Sequence, residues 1–412
     1  FCFMSATDME KKDLVTRSCF EMMTESIVFF MMTTGIGGEV LTYLRMAEWL
    51  YQNTNLKIYC ADLPNGAVLS YIKKHGYDYI NIIRMNVSQN KDGSAVKLEE
   101  TVFPDNCIVF TNGFFLLQNS VLKNIKAQNI RFLFYFVEPH TFYGAIQKKS
   151  VFKRIKCWLR LAKYIKTADN KKALLFQDYS NFKGVQKYYS KLHKQYLPIP
   201  ITIRPLRQDW ELVSDRLNFC YIGRDCPSKN TTLMFYAKQL SRYAQQNPNL
   251  SVVLYVVSDI KQNNAFRKKL TQRYANIKIV FKGTLYDSRL EAFLKQKIDI
   301  VLGMGVSCLE AAKLGIPAIS APASLKSIPV KTKVGMISGF NEYSLGGYLN
   351  ENKALTEGFL FADLIDNIRN NYNRCIFSNH KFAQLHYGIG NVMPRLLEYI
   401  KETSFYYDDL GK

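Results

Sequence analysis

The chain has 412 residues, 48% of them hydrophobic and only 12 Pro and 22 Gly, so it can bury two or three domain cores and is neither disordered nor collagen-like. Nine Cys without a C-x-x-C pair exclude a zinc ribbon or a redox dithiol, and their odd, scattered placement fits buried thiols in a reducing cytosol. Lys and Arg number 55 against 34 Asp and Glu, and this net charge of +21 favours nucleic acid, phospholipid headgroups or phosphorylated substrates without choosing among them; no run of 18 apolar residues marks a transmembrane helix.

Residues 1–25 show no period and read as an N-terminal extension. A strand at Ile27–Met32 runs into Gly35-Ile36-Gly37-Gly38. Helix-period residues Val40, Leu41, Leu44, Ala47, Trp49 and Leu50 follow, then a strand-like Lys57–Ala61. Strand, glycine turn, helix and strand make a βαβ unit, the start of a parallel doubly wound sheet. Further strands are predicted at Tyr79–Ile83, Ile108–Thr111, Phe132–Val137 and Ala173–Phe176.

Between the last two strands, the stretch from Lys148 to Lys172 holds ten Lys or Arg and one acid, Asp169. Val151, Ile155, Trp158, Leu159, Ala162 and Ile165 recur at helical spacing, with Lys149, Lys153, Lys156, Arg160 and Lys163 off that stripe. Such a basic amphipathic helix suits an anionic membrane surface, and it equally fits a sheet-covering helix whose wet face is basic.

Leu197-Pro198-Ile199-Pro200-Ile201 breaks the pattern and reads as an interdomain connector. A second alternating series follows. Strands are expected at Leu217–Ile222, Leu250–Val257, Lys278–Phe281, Ile298–Leu302 and Ala318–Ser320. Helices are expected at Thr231–Gln245, Asn264–Tyr274, Asp287–Lys295, from Ser307 onward, at Phe361–Asn371 and at Ile389–Thr403. The expected domains are residues 26–200 with the C-terminal helix 386–405, and residues 201–385.

The sharpest local signal is the run from Val301 to Ile319. An apolar strand enters a Gly303-Met304-Gly305 turn, and a helix opens from Ser307. Backbone N–H groups at a helix start bind phosphate or carboxylate oxygens, and the glycines let a ligand approach the main chain. Glu310, about one turn in, can accept from the vicinal hydroxyls of a sugar. The same spacing, Ser307-x-x-Glu310, is also that of a capping box, in which both residues only satisfy the helix end. Gly315-Ile316-Pro317 ends the helix.

This stretch resembles the nucleotide-sugar signature of GT-B glycosyltransferases, family 4 in particular, in which a Glu-x7-Glu motif reads roughly E-G-F-G-x-x-x-x-E-A-x-x-x-G-x-P-x-I. Gly303, Gly305, Glu310, Ala311, Gly315 and Pro317 fall on matching positions, and Leu302 stands where the first Glu belongs. The resemblance gives Glu310 the ribose of the donor and leaves the donor sugar without its usual carboxylate. Phe219-Cys220-Tyr221-Ile222-Gly223-Arg224, with Lys229 downstream, is similar to the family's grip on the donor diphosphate. A guanidinium fork and an ammonium point charge both suit phosphate oxygens. In the first domain, Gly35, Gly37 and Gly38 match the family's N-terminal glycine loop, and a tight βα turn explains them as well. His140, in Glu138-Pro139-His140 past a strand end, matches a His near the reacting sugar or is simply polar.

The resemblance implies an α/β GT-B fold, with two Rossmann-like doubly wound domains facing across a cleft. It implies a retaining, metal-independent transferase that uses a nucleotide-diphosphate sugar, UDP- or GDP-linked, as substrate and has no cofactor. Arg224, Lys229 and His140 would act in catalysis. Glu310 and the run Gly303, Met304, Gly305, Val306 and Ser307 would bind the donor. The acceptor would be a glycan or lipid-linked molecule of bacterial surface polysaccharide synthesis, such as capsule or lipopolysaccharide. The expected location is the cytoplasm or the inner face of the cytoplasmic membrane, with Lys149, Lys153, Lys156, Trp158 and Arg160 turned to the lipid. Two other readings compete: a degenerate, non-catalytic subunit, pointed to by Leu302, and an enzyme like the UDP-N-acetylglucosamine epimerases. No nucleic-acid-binding motif accompanies the basic charge.

Overall fold

The computed structural model describes residues 25–31, 37–63, 66–89, 96–139, 141–142, 146, 150–206, 211–340, 343–346 and 358–410. Of the expectations above, the extension to residue 24, Gly35, His140 and Lys149 lie outside the described residues. The chain divides into two units, Phe1–Pro200 with Gly390–Lys412, and Ile201–Ile389. Each is a doubly wound α/β domain.

In the first unit the strands are β1 (Ser26–Phe30), β2 (Lys57–Asp62), β3 (Ile80–Arg84), β4 (Cys107–Asn112), β5 (Arg131–Phe136) and β6 (Leu174–Phe176). They pair in the order β6-β5-β4-β1-β2-β3, all parallel. Every residue of β1 and β5 is buried, as expected for strands covered on both faces, and their sequences are correspondingly near-continuous apolar runs. Helices α1 (Gly38–Asn53), α2 (Ala67–His75), α3 (Val151–Asn170) and α4 (Tyr179–Gln186) complete the layers. Phe29, Tyr43, Phe110 and Tyr135 meet ring to ring between α1 and the sheet. Two short ladders between β3 and β5, Val87–Gln89 with Val96–Leu98 and Thr101–Val102 with Ile125–Lys126, have no counterpart in the sequence reading. Strands of two or three residues are too short to display a period.

In the second unit the strands are β7 (Arg216–Ile222), β8 (Ser251–Val257), β9 (Lys278–Gly283), β10 (Ile300–Gly303), β11 (Ala318–Ser320) and β12 (Gly335–Met336). Their order is β9-β8-β7-β10-β11-β12, with only β12 antiparallel. The helices are α5 (Pro227–Gln246), α6 (Ala265–Arg273), α7 (Asp287–Lys297), α8 (Val306–Ala312), α9 (Phe361–Asn370) and α10 (Tyr372–Tyr387). Helix α5 starts four residues before its predicted start, because Pro227 takes the first helical position, where its missing N–H costs nothing. Helix α10 has no counterpart among the expected helices, because Asn379 sits fully buried in its apolar stripe and masks the period, its amide donating to the Ile316 carbonyl at 2.8 Å.

The last helix, α11 (Ile389–Glu402), and the tail return to the first unit through β5. Buried Arg131 donates from Nη1 to the carbonyls of Ile400 (3.2 Å) and Thr403 (3.0 Å), closing the carboxyl end of α11. The Thr403 hydroxyl donates to the Phe132 carbonyl at 3.0 Å, and Phe132 N–H donates to the Phe405 carbonyl at 2.9 Å. The seven described cysteines are free, and all but Cys226 are buried. No helix among the described residues is long and apolar enough to cross a membrane.

Candidate active site

In a doubly wound sheet the strand order reverses at one place, and ligands bind there, beyond the carboxyl ends of the strands. In the second unit this place lies between the neighbours β7 and β10. From β7 the chain passes through Gly223 and Arg224 into α5, whose first turn carries Lys229. From β10 it passes through Gly303, Met304 and Gly305 into α8.

Local packing explains the glycines. A side chain at position 223 would begin 2.8 Å from the Tyr221 hydroxyl, and that hydroxyl donates to the Lys229 carbonyl at 2.8 Å, fixing the start of α5. Gly305 has φ +62° and caps α8 with its backbone, its own N–H donating to the Leu345 carbonyl at 2.8 Å. The capping box does not form. Ser307 lies inside the helix rather than at its cap, no side chain caps α8, and the Ser307 hydroxyl instead donates to the Ile222 carbonyl at 3.0 Å. That bond pins α8 to the end of β7.

Arg224 is exposed and Lys229 half-buried, while Met304, Val306 and Ser307 are partly open. Burial, reinforced by the Arg224 charge, holds the Lys229 amine down to about 8 against the opposing pull of Cys226 and Cys308. An anion at this place would restore the charge that burial penalises. Leu302 is fully buried in β10, paired in register with Tyr221 and Ile319, so the first motif position belongs to the core.

Glu310 faces a charged cluster. Lys313 Nζ lies 2.5 Å from Glu310 Oε2 and 2.7 Å from Glu291 Oε1. Arg204 Nε donates to Glu291 Oε2 at 3.2 Å. Burial pushes the Glu291 carboxyl up, but the hydrogen bonds and charges of Lys313 and Arg204 outweigh it and leave it below its ordinary value. Glu310 stands in a local motif, whereas Lys313 follows it by three residues with no motif of its own, and Arg204 and Glu291 stand 87 residues apart. No local spacing signals that pairing.

In the first unit the reversal falls between β1 and β4. Gly37, extended, precedes α1, and Gly38 opens it. The next residue, Glu39, accepts at Oε1 from Asn112 Nδ2 (2.8 Å), the last residue of β4, and from the Tyr43 hydroxyl (3.1 Å). Burial raises the Glu39 carboxyl against those two hydrogen bonds, and nearby Glu138 adds to the rise. Glu39 is a further candidate; an acid directly behind the glycine turn was the only sequence sign of it.

Helix α3 has two apolar faces instead of the single predicted stripe. Cys157, Leu161, Ile165 and Ala168 are buried. Val151, Phe152, Ile155, Trp158 and Leu159 are exposed, Phe152 at 86%. Lys153, Lys156 and Arg160 are exposed among them.

No protein-family model matches the chain, and no curated protein matches it. Solved structures do. Staphylococcus aureus TarM, as a point mutant in complex with fondaparinux, alpha-GlcNAc-glycerol and UDP, is 9% identical over 90% of this chain and 99% of its own, with a TM-score of 0.57. WaaG, a glycosyltransferase involved in lipopolysaccharide biosynthesis, is 11% identical over 91% and 99%, with a TM-score of 0.50. An E. coli trehalose-6-phosphate structure bound with UDP-2-fluoro glucose is 11% identical over 94% and 99%, with a TM-score of 0.52. At such identities the likeness is one of fold: two Rossmann-like domains in the GT-B arrangement of elements.

Proposed function

We propose that the chain is a glycosyltransferase that takes its sugar from a nucleoside-diphosphate sugar held at the reversal point of the second unit. The observation that carries this reading is that Arg224 and Lys229 follow β7 while Glu310 stands on the helix leaving the adjacent β10. Two cations suit a diphosphate, and a buried carboxylate suits the ribose hydroxyls. Positive charge fixed at the departing diphosphate stabilises the transition state for breaking the anomeric bond, and it needs no reorganisation as the charge develops. Retention of configuration, independence of metal ions and family 4 membership belong to this reading through the motif resemblance. His140 takes part as a hydrogen-bonding partner of the donor sugar.

The acceptor side of the reading is the first unit, at Gly35, Gly37 and Gly38, joined by Glu39. The acceptor is a glycan or lipid-linked molecule of bacterial surface polysaccharide synthesis. The exposed apolar ridge of α3, bordered by Lys153, Lys156 and Arg160, supports a seat on an anionic membrane surface on the cytoplasmic side. Each basic residue near such a surface contributes about 1 kcal/mol.

The test is a thermal-shift panel with UDP, GDP, ADP, CMP and dTDP on wild type and Glu310→Ala. A diphosphate at about 100 times its dissociation constant adds about 2.7 kcal/mol of stability. A shift with one base that disappears in the variant supports the donor site; no shift with any of them sinks it. The burial of Leu302 favours a second reading, a degenerate subunit that binds the nucleotide without transfer. Nucleotide binding with no release of nucleoside diphosphate from any UDP- or GDP-sugar is its signature.

A further inference from the structure

Glu310 and Lys313 leave only 10% and 8% of their side chains exposed. A carboxylate that deep stays ionised only beside a paired cation, and breaking such a pair is far more disruptive than removing both partners. Lys313 is itself held from the other side by Glu291, which Arg204 anchors in turn, and Arg204 N–H donates to the Lys313 carbonyl at 3.2 Å. Two acids and two bases thus make a neutral set drawn from α7, α8 and the segment before β7. The ammonium has a single place in that set, and it fixes one oxygen of Glu310.

We infer that Lys313 is a positioning residue for nucleotide recognition: it holds the Glu310 carboxylate in one orientation so that the vicinal hydroxyls of a ribonucleotide meet a ready acceptor. The inference rests on the donor reading above, and it assigns to Lys313 no contact with the ligand. It therefore predicts an effect confined to ligands that carry the ribose hydroxyls.

Titration calorimetry with UDP, GDP and their 2′,3′-dideoxy counterparts decides the matter. Lys313→Met lowers affinity for the ribonucleotide that wild type binds by roughly 10- to 100-fold, the worth of one charge-assisted hydrogen bond, and leaves the dideoxy affinity within about twofold. Glu310→Gln gives the same pattern, and Lys313→Arg restores most of the loss. The double variant Lys313→Met/Glu310→Gln binds no worse than Glu310→Gln alone. Should Lys313→Met fail to fold around an uncompensated carboxylate, the double variant lacks both charges and still gives the answer. Equal losses for ribo- and dideoxynucleotide, or a further loss in the double variant, overturn the inference. Wild-type binding that ignores the ribose hydroxyls overturns it too, with the donor reading left standing. Failure of wild type to bind either ribonucleotide removes the donor reading and this inference together.

Discussion

Replacing Phe152, Ile155 and Leu159 together by Ser removes the apolar ridge of α3 without touching its buried face. These side chains are 86%, 54% and 58% exposed, so the fold loses little, and the melting temperature should stay within about 2 °C of wild type. Full burial of such a side chain is worth about 1.5–3 kcal/mol. Scaled by exposure, lipid would recover about 2 kcal/mol from Phe152 and about 1 kcal/mol from each of the others, about 4 kcal/mol in all. That corresponds to roughly a thousandfold in partition coefficient. Neutralising Lys153, Lys156 and Arg160 removes about 3 kcal/mol, and only from anionic membranes. Flotation with vesicles of phosphatidylcholine alone, and with about 30% phosphatidylglycerol, separates the two contributions. The serine variant should lose binding to both compositions, and the charge variant only the gain from phosphatidylglycerol. Wild-type levels of binding by the serine variant would refute the reasoning and return α3 to a helix with a merely wet outer surface.

Four further outcomes follow from charge and burial at three residues. Arg224→Ala should lose turnover as well as diphosphate affinity, each by roughly 10- to 100-fold for one charge-assisted bond, in steady-state and binding assays; unchanged turnover would remove it from the mechanism. The Lys229 amine, held down to about 8 by burial, loses its proton as pH rises past that value, so diphosphate affinity should fall between about pH 7 and 9 in wild type and stay flat in Lys229→Arg. The same depressed value makes the unfolded chain the stronger proton binder there, so this residue adds stability as pH climbs from about 8 toward the ordinary lysine range. Asp178 caps α4, and burial lifts its carboxyl to about 6. A raised acid favours the fold at low pH and loses that advantage as pH passes about 6, whereas Asn caps equally well without charge. Asp178→Asn should therefore raise the melting temperature more at about pH 8 than at about pH 4, and the reverse order would show that the charge is not the cost.

The alternation of strands and helices and the strand-turn-helix at Gly303–Ser307 are legible in the chain of residues, because buried parallel strands are continuous apolar runs and glycine turns are local. So are the places of Arg224, Lys229 and Glu310, each a few residues past a strand end. What those side chains meet depends on long-range packing. Ser307 looked like a cap by spacing, yet its hydroxyl is taken by the Ile222 carbonyl, 85 residues away in sequence. Glu310 gained Lys313 from its own helix end, but the Glu291 and Arg204 that complete the cluster come from elsewhere in the chain. Helix α3 shows an apolar pattern at almost every turn, and only packing against the sheet distinguishes the buried Leu161 and Ile165 from the exposed Phe152 and Leu159. Glu39 was marked by no motif; its burial beside Asn112 follows from the adjacency of β1 and β4. Periodicity and turn chemistry are written within a dozen residues, whereas charge pairing and the choice of buried face depend on contacts between segments that only the folded sheet brings together.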